Sequence, residues 1–154
     1  MILSIIRVIV SRMLIITLTL ILVLAFMLVF KKIIATIEPM HGKNLVVYSK
    51  DGNSKRIVVD NNLVEGHALA TADFSGNGKI QLVAGWRVPN KDSVVGVKLY
   101  METNSAKSEW ESYWIDKNGM ACEDIKVADL DMDGKPDVIA SGRATHNLRI
   151  YWNR

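Results

Sequence analysis

The sequence predicts an all-β domain over residues 44–154, carried behind one N-terminal transmembrane helix. Three observations predict it. Residues 13–30 run for eighteen positions without a charge. Beyond Pro39 the chain breaks into short β-branched and aromatic runs separated by Asp-Gly, Asn-Gly and Pro signals, the punctuation of strands and turns. Two loops with oxygen-bearing side chains at alternate positions and a glycine at the sixth start 56 residues apart, at Asp73 and Asp129.

The apolar run from Met13 to Phe30 has only Thr17 and Thr19 as polar interruptions. A helix of that length reaches about 27 Å, close to the hydrocarbon thickness of a bilayer. Arg7 and Arg12 precede it and Lys31 and Lys32 follow, which suits the two interfaces. A cleavable signal peptide is the rival reading, but its apolar core is usually about 7 to 15 residues and ends at a small-residue site. Residues 1–35 therefore read as a membrane anchor with basic flanks, and 36–43, with Pro39 and Gly42, as a linker. Flanking charge alone leaves the orientation nearly undecided.

The chain has 154 residues and a formal charge of +3. Arg7, Arg12, Lys31 and Lys32 against Glu38 account for all of that excess, so the remainder carries as many acids as bases. No basic stripe is left for phosphate backbones, which argues against nucleic acid as a partner. The single cysteine, Cys122, excludes an internal disulfide and reads as a small packing residue. No nucleophile elbow, P-loop, dinucleotide fingerprint or zinc-ligand spacing occurs.

Nine strands are expected, near 44–49, 55–60, 67–73, 81–86, 94–101, 110–116, 123–129, 137–141 and 147–152. They form an internal repeat. The 56-residue shift sets Val59-Asp60 on Ile115-Asp116 and Arg87 on Arg143, while Leu45–Tyr48, Val97–Tyr100 and Leu148–Tyr151 share a pattern ending in tyrosine. Ala68, Ala70 and Ala72 alternate on one face of the third strand, as crowding by neighbouring sheets requires.

The loop Asp129-Leu130-Asp131-Met132-Asp133-Gly134-Lys135-Pro136-Asp137 offers carboxylates at positions 1, 3, 5 and 9, a carbonyl from Lys135 at position 7 and a glycine at the bend. Ca2+ takes about six to eight oxygens, and alternate residues of a curled loop can point at one centre. It is not an EF-hand, because position 12 is Ala140 rather than a bidentate Glu followed by a helix. The earlier loop reads Asp73, Ser75, Asn77, Lys79 and Gln81 at the same positions. One carboxylate replaces four there, and its attraction for a cation is much reduced.

Ala128 to Ala140 resembles the calcium loop of FG-GAP and VCBS-type repeats, found in integrin alpha subunits and bacterial surface proteins. The resemblance covers about residues 44–154. It implies a partial β-propeller of about two four-stranded antiparallel blades over 44–154, with the loops 73–81 and 129–137 joining first strands to second. It implies Ca2+ as the bound ion and, since weak calcium modules work outside cells, a single-pass membrane protein with its C-terminal part extracytoplasmic. Two blades cannot close a ring, so self-association or another chain would complete it, and the ligand, protein or carbohydrate, is unspecified.

On the opposite rim, the repeat brings together His67, Arg87, Glu123, Asp124 and Arg143, with His146 nearby. Recurrent arginines suit a structural tie between blades. The alternative is a carbohydrate site, because Ser141–Asn147 before Tyr151-Trp152-Asn153 is similar to the last blade of propellers related to aldos-2-ulose dehydratases, which are lyases. That resemblance offers His67, Arg87, Glu123, Arg143 and His146 as candidate catalytic groups. Trp86, Trp110, Trp114 and Trp152 read as packing rather than a sugar platform. Binding or assembly, rather than catalysis, is the expected role.

Overall fold

The computed structural model describes residues 33–49 and 55–154. The transmembrane helix expected over residues 13–30 lies outside them, and among the described residues no helix is long and apolar enough to cross a membrane. Every regular element described is a strand: β1 (Ile33–Glu38), β2 (Asn44–Ser49), β3 (Arg56–Asp60), β4 (Gly66–Ala72), β5 (Gln81–Trp86), β6 (Gly96–Asn104), β7 (Glu109–Lys117), β8 (Cys122–Ala128), β9 (Asp137–Gly142) and β10 (Asn147–Tyr151). All nine expected strands form.

The tenth corrects the sequence reading. Residues 33–38 form β1 where the end of the anchor and the start of a linker were expected, and β1 pairs antiparallel with β2 from Ile33↔Ser49 to Glu38↔Asn44. The segment alternates, as a half-buried strand must. Ile33, Ala35 and Ile37 pack on the core that also holds Leu45 and Val47, leaving Ile34 on the other face, half exposed.

The strands make three antiparallel sheets, each a simple meander: β1-β2-β3, β4-β5-β6-β7 and β8-β9-β10. The middle sheet buries both of its faces. One face, through Leu82, Ala84, Trp86 and Tyr100, shares a core with Leu45 and Val47 of the first sheet. The other, through Ala68, Val83 and Val97, shares a second core with Cys122, Ile125, Val138 and Ala140 of the third. A strand enclosed on both sides loses its polar alternation, and all six residues of β5 are buried. Spacing is tight where the sheets meet. A methyl group built on Gly85 would overlap the side chain of Cys122, so glycine lets the backbones approach.

Bulges recur with the repeat. The register slips between Gly66 and Ala68 on β4 and between Cys122 and Asp124 on β8, leaving His67 and Glu123 as the extra residues of two equivalent bulges. A bulge bends its strand and re-aims the side chain it carries. A second pair of slips, opposite Leu45/Val46 and Val97/Lys98, falls immediately before Asp60 and Asp116.

Candidate functional site

Both acidic loops link the first strand of a sheet to its second, and their main chains are folded by the same contacts. Asp129 accepts the N–H of Asp133 at 3.1 Å and of Gly134 at 2.9 Å. Asp73 accepts those of Asn77 at 3.1 Å and Gly78 at 2.6 Å. At the ninth position Asp137 accepts from Leu130 at 2.9 Å, and Gln81 accepts from Phe74 at 2.6 Å. At the fifth, Asp133 and Asn77 each accept from the lysine two residues on, at 2.8 and 2.9 Å. The bend needs a left-handed backbone at Gly78 (φ 78°) and Gly134 (φ 87°), and again at Gly76 (φ 64°) and Met132 (φ 60°). Glycine meets that demand without the Cβ penalty, and only Met132 bears it.

The loops differ in what surrounds the centre. In the later one, Asp129, Asp131 and Asp137 bring carboxylate oxygens within 4.8 Å of one another, an arrangement that could hold a metal ion. Asp137 is buried, with its second oxygen accepting the N–H of Asn153 at 2.9 Å, so one wall of the site is fixed to the core. Asp131 is exposed and takes no hydrogen bond among the described residues. Three hard oxygen donors suit Ca2+, Mg2+ or Mn2+ and not a soft ion. Asp133 is not one of the three; its carboxylate lies against the main chain of Lys135 and 3.9 Å from that residue's Nζ. In the earlier loop Gln81 donates from Nε2 to Ser75 Oγ at 2.9 Å, and Asp73 is the sole acid. That loop is closed by neutral hydrogen bonds in place of an ion.

At the opposite ends of the strands the rim residues do assemble. Arg87, following β5, donates to Glu65 at 3.0 Å and to Glu123 at 3.3 Å, tying the middle sheet to the third. His67 Nδ1 lies 2.6 Å from the carbonyl oxygen of Glu123. A carbonyl only accepts, so Nδ1 carries the proton. The His67 ring also stacks on His41 at 4.6 Å. Arg87, Glu65, Glu123, Arg143 and His146 line a cavity of about 350 Å3. His67 is not part of that lining, and Asp124 is turned to Lys126 at 3.2 Å. Arg143 has no ion-pair or hydrogen-bond partner among the described residues. Trp86 is buried, whereas Trp114 and Trp152 are partly exposed.

One repeated feature was not anticipated as a contact. Asp60 accepts from Tyr100 Oη at 2.8 Å and pairs with Lys98 at 3.5 Å. Asp116, 56 residues later, accepts from Tyr151 Oη at 2.7 Å and from Arg149 at 2.5 Å. The last strand of one sheet thus holds the third strand of the next. Burial, then Asp60, pushes the Tyr100 phenol far above its ordinary value, and burial, then Asp116, does the same to Tyr151. The spacing of these residues was visible in the sequence; their mutual contact was not.

Comparison with protein-family models, with curated proteins and with solved structures finds no match.

Proposed function

We propose that this chain is a membrane-anchored, extracytoplasmic module of FG-GAP/VCBS-type repeats, a partial β-propeller whose later loop binds Ca2+, and that it serves binding or assembly. The observation that carries the reading is the identity of two loops 56 residues apart. They share main-chain hydrogen bonds at the first, fifth and ninth positions, while only the later one encircles its centre with carboxylates. Three meandering sheets stacked face to face, with small residues on β4, support the blade reading. Calcium would act by neutralising three like charges and locking the β8–β9 bend against the β10 end through Asp137.

The test is thermal melting of the full chain in detergent, with Ca2+ and with chelator. At calcium about 100-fold above its dissociation constant, stabilisation is about 2.7 kcal/mol, on the order of 10 °C for a domain of this size. Asp131→Ala should abolish the gain and leave the calcium-free melting unchanged, because Asp131 supports nothing else in the loop. An equal shift in wild type and variant would sink the proposal.

A second reading, a fragment or subunit of a carbohydrate-acting lyase, is favoured by one observation: Arg87, Glu123, Arg143 and His146 share a cavity. Against it, both acids of that cavity are already engaged with Arg87. Saturable binding of a uronic acid that Arg143→Met removes would favour this reading; calorimetry showing no uptake would end it.

A further inference from the structure

The repeat supplies an internal control for one surface. On the middle sheet, Val83, Val97 and Leu99 point toward the third sheet and are covered by it. Their counterparts on the third sheet are Ile139, Leu148 and Ile150, which share its opposite face by register. Leu148 is 67% exposed and Ile150 40%, with Trp152 beside them at 45%. The same face thus has a covering sheet in one copy of the repeat and none in the next.

We infer that this face docks the first sheet of a second copy of the chain, head to tail. The inference rests on reading the sheets as consecutive copies of one blade. Both contacts within the chain join the face on one side of a sheet to the face on the other side of its successor. Of the three sheets, only the first has its corresponding face without a preceding sheet, and that face carries Ile34 and Val58, 47% and 45% exposed.

The chemistry of the two faces matches strand by strand. The first sheet has no strand at the innermost position, since β1 occupies the place of β5. On the third sheet the innermost strand, β8, is the part such a partner would leave uncovered. There Asp124 and Lys126 replace Ala68 and Ala70 and pair with each other in solvent. The apolar residues lie on β9 and β10, opposite the positions that β1 and β2 would take. Ser141 stands where the tight approach of sheets requires Gly85, so the closest contact is relaxed on the same strip that a partner without an inner strand spares. A heterologous contact of this kind closes into a ring or extends as a filament.

The test uses the full chain in detergent, cross-linked with a flexible bis-maleimide. Leu148→Cys and Ile34→Cys alone should stay monomeric, and the chain carrying both should give dimers and higher multiples. Leu148→Asp with Ile150→Asp should weaken association measured by sedimentation by at least about tenfold, while Met40→Asp, equally exposed but off the face, should not. Dimers from Leu148→Cys alone, no products from the double variant, or association untouched by the two aspartates would each overturn the inference. Circular dichroism confirms that each variant is folded. Calcium-dependent melting of the same samples reports on the repeat reading separately.

Discussion

Tyr151 on β10 donates its phenolic hydrogen to Asp116 on β7 at 2.7 Å, and the carboxylate that receives it is 7% exposed. Asp116 also accepts from the N–H of Gly119 at 2.7 Å and from Arg149, so one side chain closes the turn after β7 and fastens the third sheet to the middle one. Nearby Asp116 raises the Arg149 guanidinium still further above its ordinary value. Asp116→Ala strands a phenol and an amide together, and hydrogen bonds to a charged group contribute about 1.5 to 3 kcal/mol each net. We expect a loss of about 3 kcal/mol by urea denaturation, against about 1 kcal/mol for Tyr151→Phe, where Arg149 still satisfies the acid. Equal losses would show that the phenol, not the carboxylate, is the centre of the tie.

Alkaline pH should unfold the domain through buried neutral acids. Burial, followed by Asp124, pushes the Cys122 thiol from 9.0 up to about 12. A raised folded value means that the stabilisation is fully present below the unfolded value of 9.0 and is lost as pH climbs toward 12. Tyr100, raised from 10.0 by burial and Asp60, adds to the loss above pH 10. Stability should therefore be flat with respect to these groups up to pH 9 and fall beyond it. Cys122 in the folded chain should react with iodoacetamide at least about 100-fold more slowly than in urea at pH 8. Equal rates would mean that the second core is open.

Arg87 and Arg143 occupy equivalent repeat positions and should respond oppositely to removal of charge. Arg87 holds two carboxylates, and its Nε is buried with no partner of its own, so the fork is fixed by packing as well as by charge. Arg87→Met should lower stability by about 1 to 2 kcal/mol. Arg143→Met should stay within about 0.5 kcal/mol of wild type. A comparable loss at Arg143 in chemical denaturation would reveal a tie that its solvent-exposed guanidinium does not display.

The nine strands from 44 onward were legible because period-two runs and turn residues bound each of them, and the 56-residue echo supported each weaker one with a stronger one. β1 was not, although Ile33, Ala35 and Ile37 alternate cleanly. Its β-branched residues follow an apolar run without a break, so the strand was absorbed into the anchor on one side and the Pro39 turn on the other. The acidic loop was readable as a cation seat from position alone, yet register could not tell that Asp133 would spend its carboxylate on the main chain of Lys135. The rim residues were grouped from the repeat, but the bulges that make His67 and Glu123 meet involve one unpaired residue per strand, which leaves no mark on a pattern of alternation.

The two loops invite a gain-of-site experiment, because the earlier one already has the fold of the later. Asp73 grips the bend as Asp129 does, and Gly76 and Gly78 supply both left-handed positions without the strain that Met132 bears. What it lacks is charge at the third and ninth positions. Ser75→Asp with Gln81→Asp restores the set formed by Asp129, Asp131 and Asp137. In calcium-free buffer the variant should be less stable than wild type by about 1 to 3 kcal/mol, since the buried amide of Gln81 is replaced by an acid beside two others. With calcium present, titration calorimetry should give two ions per chain in place of one, and the stability deficit should disappear. A variant that stays destabilised in calcium and binds a single ion would mean that matching main-chain geometry and three carboxylates are not enough, and the later loop would then owe its site to the anchoring of Asp137 by Asn153.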